Sequence, residues 1–296
     1  MKQVNVLIST YNGEKYIRDQ IESILNQSYK NIKIFVRDDG STDNTVSILE
    51  EYQDKGTINL IRGANLGFGG SFMTLLKNAE EGDYWAFCDQ DDVWLPEKIQ
   101  WAVEWLDRQD DSKPNMFHSS FYLTDEHLNV EGEYLPNEKK YTFTKAITEC
   151  LHMGFSTVFN KTLRDYMLMA DISKLSSHDH WAELIVIKFG NVEFDNRCAS
   201  YHRRLTYSLS GTSFRARLKW LKGAMKGQSE ILPVAKEFDR VFGQQINDKE
   251  CKINRWFCYD KYSFIKSVKK AFYPHRWRTS FSSELVLRFL MITGRV

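Results

Sequence analysis

The sequence predicts an α/β protein with a mostly parallel central sheet and a helical C-terminal extension. Three observations carry this expectation. Apolar runs with the look of buried strands alternate with amphipathic helical patterns from Val4 to Leu106. Polar clusters follow the first, second and fourth of those runs, at their carboxyl ends. After Gly211 the chain turns basic, aromatic and helical.

Val4 to Ser9 reads as a fully buried strand of aliphatic residues, closed by a turn at Thr10-Tyr11-Asn12-Gly13. From Glu14 to Asn26, Ile17, Ile21, Ile24 and Leu25 recur at helical spacing. Ile32 to Arg37 is a second strand ending in Asp38-Asp39-Gly40-Ser41, and Asp43 to Gln53 a second helix. Ile58 to Ile61 is a third strand, and Gly67-Phe68-Gly69-Gly70 opens a helix carrying Phe72, Leu75 and Leu76. Tyr84 to Cys88 is a fourth strand, ending in Asp89-Gln90-Asp91-Asp92, and Pro96 starts the next helix. Such alternation implies right-handed crossovers and a ligand crevice beyond the strands' carboxyl ends. The three polar clusters therefore converge on one crevice.

Beyond Pro114 the pattern becomes mixed. Met116 to Leu123 reads as a strand, and Thr124 to Tyr141 as a polar hairpin turning at Gly132. Gly154 to Phe159 is a short strand followed by a helix capped by Asn160. His178-Asp179-His180-Trp181 opens a helix running to Gly190, and Ala199 to Tyr201 is a last short strand. The expected division is a unit over 1–212, in two parts at 1–113 and 114–212, and an extension over 213–296.

The 296 residues are 42% hydrophobic and 27% charged, an ordinary globular composition. Five cysteines without a C-x-x-C pair suit a reducing compartment. The polar N-terminus and the lack of a long apolar stretch predict a cytoplasmic protein without a spanning helix. The net charge of +1 conceals two halves: Phe214–Val296 carries 18 Lys/Arg against 7 Asp/Glu, Met1–Ser213 carries 22 against 32. An acidic, cation-using part and a basic tail with a different partner follow from that asymmetry.

Three carboxylates at a strand end repel one another unless a cation sits among them. Hard ions such as Mg²⁺ or Mn²⁺ are held by one or two carboxylates together with substrate phosphates. Asp89, Asp91 and Asp92 thus suggest a metal that grips a diphosphate, the alternative being an acidic turn capping the next helix. Asp39 can accept the N3–H of uracil or thymine, or close its own turn. Tyr11 can stack on a base or lie at the surface. Asn65 to Gly70 can aim backbone amides at a nucleotide or merely turn the chain. Asp179 is a candidate general base or a helix cap, and His178, His180 and His202 are candidate ligands or structural residues. No P-loop and no G-x-G-x-x-G in the first β-α turn occur, which disfavours both of those nucleotide-binding classes. The acidic N-terminal half argues against a nucleic-acid partner.

Residues 4–13 (VNVLISTYNG), 36–45 (VRDDGSTDNT), 65–70 (NLGFGG) and 87–98 (FCDQDDVWLPEK) resemble, in order and spacing, glycosyltransferase family 2 with its GT-A fold. The later His-Asp-His-Trp and Tyr201-to-Gly211 segments look most like bacterial rhamnosyltransferases of polysaccharide assembly. The resemblance covers about Met1 to Gly211 and implies a catalytic domain over 1–212, with a nucleotide-binding part at 1–113 and an acceptor-binding part at 114–212. It implies an inverting transfer from a nucleotide sugar, dTDP- or UDP-linked, with Mn²⁺ or Mg²⁺ as cofactor, to a saccharide or lipid-diphosphate-linked acceptor. Carried over by position, Thr10, Tyr11, Asn12 and Glu14 line the nucleotide pocket, with Asn65 and Gly67 near it. Asp39 reads the base, Asp89 and Asp91 form the metal element, and Asp92 lies beside the sugar or ribose. Asp179 matches the catalytic carboxylate, preceded here by His178 where relatives usually have Glu. Gly154 and Ser156 line a sugar site. The His202-Arg203-Arg204 run departs from the family's usual Arg-Gln-His, so His202 stands only as a candidate third ligand. In the extension, Arg215, Arg217, Lys219, Lys222 and Lys226 lie among Trp220, Leu221 and Met225, and Trp256, Phe257, Trp277 and Phe281 recur beside cations. That pattern suits peripheral attachment to an anionic membrane on its inner face, or a solvated helical cap on the catalytic unit.

Overall fold

The computed structural model describes residues 1–135, 141–175, 177–205, 229, 231–244, 248–259 and 262–296. The amphipathic segment expected over 215–226 lies outside the described residues.

Four parallel strands form one half of the sheet: β1 (Val4–Thr10), β2 (Ile32–Asp38), β3 (Asn59–Arg62) and β4 (Tyr84–Asp89), in the order β3-β2-β1-β4. Helices α1 (Ile17–Leu25), α2 (Thr45–Asp54) and α3 (Gly67–Asn78) connect them. A short strand β5 (Val93–Trp94) and helix α4 (Lys98–Leu106) lead to the other half. This contains β6 (Asn115–Thr124), β7 (Val130–Tyr134), β8 (Thr157–Asn160) and β9 (Asn191–Arg203). The order continues β4-β8-β6-β9-β5, with β7 on β6. Here β8 runs antiparallel to both neighbours, while β9 runs parallel to β6.

Alternate residues of the central strands face opposite layers, as strand geometry requires. Val6, Ile8, Val36, Ala86 and Cys88 pack with α1, α2 and α4. Leu7, Phe35, Trp85 and Phe87 pack with α3 and with α7 (His178–Phe189). Each fully buried large side chain contributes ~1.5–3 kcal/mol, and both faces are covered, so these strands read as near-continuous apolar runs.

Small helices α5 (Phe143–Ala146) and α6 (Lys161–Met167) flank α7. The Asn160 cap is present: its Oδ1 accepts the Leu163 N–H at 3.1 Å. The helices after residue 230 are α8 (Ile231–Phe242), α9 (Lys249–Asn254), α10 (Phe264–Ala271) and α11 (Phe281–Ile292). Their inner residues, among them Phe238, Phe257, Trp277 and Leu287, share one continuous core with Phe72 and Trp181. Phe257 and Trp277 are therefore core side chains rather than parts of an interfacial face. No helix among the described residues is long and apolar enough to cross a membrane.

Two local expectations need correction. The hairpin turns at 125–129, where Asp125 caps the turn and Leu128 takes φ 67°, and Gly132 lies inside β7. The last strand is β9, far longer than Ala199–Tyr201, because it pairs along all of β6 despite its many charged side chains.

Candidate active site

The sheet register sets three strand ends level. Thr10 of β1 pairs with Asp38 of β2, and Ser9 pairs with Asp89 of β4. The turns that follow are fastened to one another. Gln90 accepts the Tyr11 N–H at 2.9 Å and donates to the Tyr11 carbonyl at 3.2 Å. Gly13 lies so close to this amide that a Cβ there would stand 2.3 Å from Gln90 Oε1. Asn12, at φ 49°, accepts the Thr42 N–H at 2.8 Å, and Glu14 accepts the N–H and the side-chain amide of Asn44. Thr10 is buried on Asp38. The side chains of Thr10, Asn12 and Glu14 thus brace the loops, while the Tyr11 ring remains 48% exposed.

Asp39 is 3% exposed and forms a buried ion pair with Arg37. It also accepts the N–H groups of Leu66 (2.8 Å) and Gly67 (3.0 Å). Asn65 accepts the same Gly67 N–H at 3.0 Å, and Gly67 takes φ +71°, a conformation glycine adopts without strain. Asp39 therefore pins the entry to α3. Its Oδ2 takes only one of these bonds and retains accepting capacity.

Asp89 and Asp91 are half-buried, and no side chain among the described residues donates a hydrogen bond to either. Burial, reinforced by the charges of Asp92 and each other, holds the Asp89 carboxyl well above its ordinary range. Burial and the Asp92 charge bring Asp91 up to about 6. Asp92 is fully buried and faces His202 Nδ1 at 2.8 Å. Burial alone would lower the His202 pKa, but the charge and hydrogen bond of Asp92 carry it up to about 9. Two cations that the sequence reading did not single out complete the surroundings. Arg203 donates to the Asp91 carbonyl (2.8 Å) and to Asp19 (2.7 Å). Lys98, fully buried, donates to the Phe155 carbonyl at 2.9 Å and is brought down to about 8 by burial.

The donor set fits a hard divalent ion: two carboxyls without a side-chain donor among the described residues, whereas His202, kept protonated by Asp92, offers no lone pair as it stands. Three or more His, Cys, Asp or Glu side chains do not form a ready-made cage among the described residues. A site using two protein carboxylates and a ligand's phosphate oxygens has no need of one.

Asp179 lies in the first turn of α7. The cap is Ser177, whose hydroxyl accepts the His180 N–H, while Asp179 Oδ1 accepts from Ser177 Oγ (2.5 Å) and from the His180 N–H (2.9 Å). The ring of the preceding His178 lies 4.4 Å from that of Phe87, two residues before Asp89 on β4, which brings the first turn of α7 to the same strand end. His178 is fully buried, stacked on Phe72 at 4.2 Å and edge-on to Phe87 at 4.4 Å, and burial lowers its pKa to about 4. His180 donates from Nε2 to the Ala146 carbonyl (2.7 Å) and is likewise structural. Gly154 and Ser156 are both buried. Ser156 closes a turn onto the Met153 carbonyl at 2.6 Å. Gly154 allows the turn to press on α7: a Cβ there would meet His178 Nε2 at 2.8 Å. The fastening of this loop falls to Glu183, one turn beyond Asp179, which accepts the Leu151 and His152 N–H groups at 2.8 Å each and faces His152 Nδ1. A glutamate inside an apolar helical run is the signal that could have found it.

Residues 5–169, more than half of the chain, match the model of glycosyl transferase family 2. The chain is 43% identical over 105 residues to dTDP-rhamnosyl transferase RfbG of Shigella flexneri, covering 33% of this chain and 36% of that protein. It is 31% identical over 202 residues to an uncharacterized glycosyltransferase of Methanocaldococcus jannaschii, covering 64% and 68% of the two chains. The fold is similar to that of S. aureus TarS 1-349, with TM-score 0.58 and 17% identity over 99% of this chain and 81% of that one. It is also similar to the Pyrobaculum calidifontis mannosyltransferase PcManGT in complex with GDP-Man and Mn²⁺, with TM-score 0.51 and 17% identity over 83% and 65%. With the strand order, the level strand ends and the family match in agreement, the chain belongs to glycosyltransferase family 2 and has its GT-A fold.

Proposed function

We propose that the protein is an inverting, metal-dependent glycosyltransferase that moves L-rhamnose from dTDP-rhamnose to a saccharide or lipid-linked acceptor in cell-surface polysaccharide synthesis. The observation that carries this reading is the pair Asp89 and Asp91: half-buried carboxyls with raised pKa and no side-chain donor among the described residues, flanking Gln90, which ties their turn to the end of β1. The match to RfbG supports the choice of donor. A UDP-linked hexose is the second reading, because Asp39 Oδ2 would meet the same N3–H in uracil and in thymine.

Asp91 and Asp89 would hold Mn²⁺ or Mg²⁺, and His202 Nε2 would join as a third protein position only after giving up its proton; bound there, the ion would neutralise charge growing on the leaving diphosphate. Tyr11, exposed at the end of β1, would stack on the base. Gln90 and Asp38 keep the two nucleotide-side turns in register. Asp179 would take the proton from the acceptor hydroxyl as that oxygen attacks the anomeric carbon in line with the departing phosphate, a positioned base contributing ~10²–10⁴-fold. His178, neutral and enclosed by aromatic rings, would back Asp179 without competing for the proton.

A thermal-shift screen of nucleotide sugars with and without Mn²⁺ tests the reading. The expected result is stabilisation by dTDP-rhamnose that requires Mn²⁺, and release of free dTDP when acceptor is added. Release of pyrophosphate or nucleoside monophosphate would indicate nucleotidyl transfer instead.

A further inference from the structure

Helix α11 is apolar on both sides. Leu287, Leu290 and Met291 enter the core, while Phe281, Leu285, Phe289 and Ile292 are 51–68% exposed. Their spacing of four, four and three residues puts them on one outward stripe. The neighbouring α10 repeats the arrangement: Phe264, Val268 and Phe272 follow at intervals of four, with Phe264 67% and Phe272 75% exposed. The two helices are packed together, so the stripes belong to one surface. Exposed apolar surface on this scale marks an interaction site.

The charge around it is one-sided. From Tyr262 to Val296 the sequence contains one acid, Glu284, which is buried and paired with Arg288. Lys269 on α10, Arg276 between the helices and Arg295 just past α11 are exposed. Lys269 stands one turn from both Ile265 and Phe272, at the edge of the stripe.

We infer that the α10–α11 face is an interfacial surface that seats the protein on an anionic lipid bilayer. Aromatic and aliphatic side chains would enter the boundary between headgroups and acyl chains, and the bordering cations would meet lipid phosphates. A second copy of the chain is a poorer occupant, because a symmetric contact between these two helices would oppose the same cations, and residues 262–296 supply no exposed acid to pair them. The surface is tied to the catalytic part. Thr148 donates to the Trp277 carbonyl at 2.7 Å, and Glu149 accepts from the Thr279 N–H and hydroxyl at 2.8 and 2.9 Å. Those two residues immediately precede the loop that Glu183 fastens beside Asp179. Docking would therefore set the catalytic crevice at a fixed attitude to the membrane. The inference rests on the two helices alone and holds whichever sugar is transferred.

The test is co-sedimentation of the full chain, without donor, with vesicles of phosphatidylcholine alone or mixed with phosphatidylglycerol. Binding to the anionic vesicles should be roughly a hundredfold tighter at low salt, as a few cations near a charged surface provide, and should weaken as salt rises. The double variant Leu285→Glu and Phe289→Glu alters exposed positions only. It should bind anionic vesicles at least about tenfold more weakly while its unfolding midpoint stays unchanged. Equal binding to both vesicle types, or undiminished binding by the double variant, overturns the inference. So does a wild-type dimer in light scattering that the double variant dissolves without any vesicle binding by either protein. Donor stabilisation by Mn²⁺ is read separately, so a failed transferase reading leaves this result interpretable.

Discussion

Glu183 gives the sharpest test of how the crevice is held. Its carboxylate is fully buried, and one oxygen, Oε2, accepts two backbone N–H groups at 2.8 Å and faces the His152 imidazole. Replacing it with Ala leaves two buried amide donors and an imidazole nitrogen without their acceptor. Breaking one side of a buried, charge-assisted arrangement costs ~3–5 kcal/mol, since orphaned donors bear the full desolvation penalty. Glu183→Gln keeps an accepting oxygen for the amides but brings a donor and no charge, so its cost should be ~1–2 kcal/mol. Urea unfolding monitored by tryptophan fluorescence reads both values, with the slope unchanged and the midpoint lowered. The functional consequence follows from position. The loop held by Glu183 runs into Gly154, which abuts His178 and Asp179, so Glu183→Gln should lower turnover more than donor affinity. If Glu183→Ala unfolds within ~0.5 kcal/mol of wild type, the size of an ordinary surface substitution, the loop is not held in this way and the reasoning fails.

Asp179→Asn should lower turnover by ~10²–10⁴-fold while Mn²⁺-dependent donor stabilisation persists; steady-state kinetics beside thermal shift separates the two. Asp91→Asn should abolish the manganese-dependent part of donor stabilisation and lower turnover by at least about a hundredfold, and chelation of the wild type should do the same reversibly. His178 has a folded pKa of about 4 against an ordinary 6.5. The unfolded chain therefore binds the extra proton first, and stability present above pH 6.5 is lost as pH falls towards 4, by up to ~3 kcal/mol. The acid limb of a plot of unfolding midpoint against pH should flatten in His178→Leu; parallel limbs would contradict the burial argument.

The first half of the sheet was legible because each of its strands is buried on both faces and shows as an apolar run between turn residues. Asp89 and Asp91 were legible for the opposite reason, as charges where the pattern demands burial. The fastening was not legible. Gln90 reaches back to Tyr11, Lys98 across to Phe155, and Glu183 to a loop on another element. Side chains of this type look like solvated polar residues until the fold supplies their partners. Thr10, Asn12 and Glu14 were placed in the right loops, but their atoms serve the loops themselves. The length of β9 escaped because Glu193, Asp195 and Arg197 interrupt any apolar alternation. In α11 the core face and the outward face carry the same residue types, so sequence could not divide Leu287 from Leu285.

The electrostatics of the crevice can be closed from its own cations. Among the described residues, each positive side chain set near the acidic cluster has an oxygen partner. Lys98 is held by the Phe155 carbonyl, Arg203 by the Asp91 carbonyl and Asp19, Arg37 by Asp39, and His202 by Asp92. What remains is Asp89 and Asp91, side by side at the end of β4, with Asp92 beneath and Asp179 opposite. Their raised pKa values express that shortfall: without a further positive charge, burial and mutual repulsion favour protons on them. A diphosphate brought to the ends of β1 and β2 would deepen the deficit by adding negative charge to negative charge. On the proposed reading, donor and cation would therefore bind as a pair, each relieving the repulsion the other meets alone. Two carboxylates would then suffice, because the remaining oxygen ligands would arrive with the donor and leave with the diphosphate.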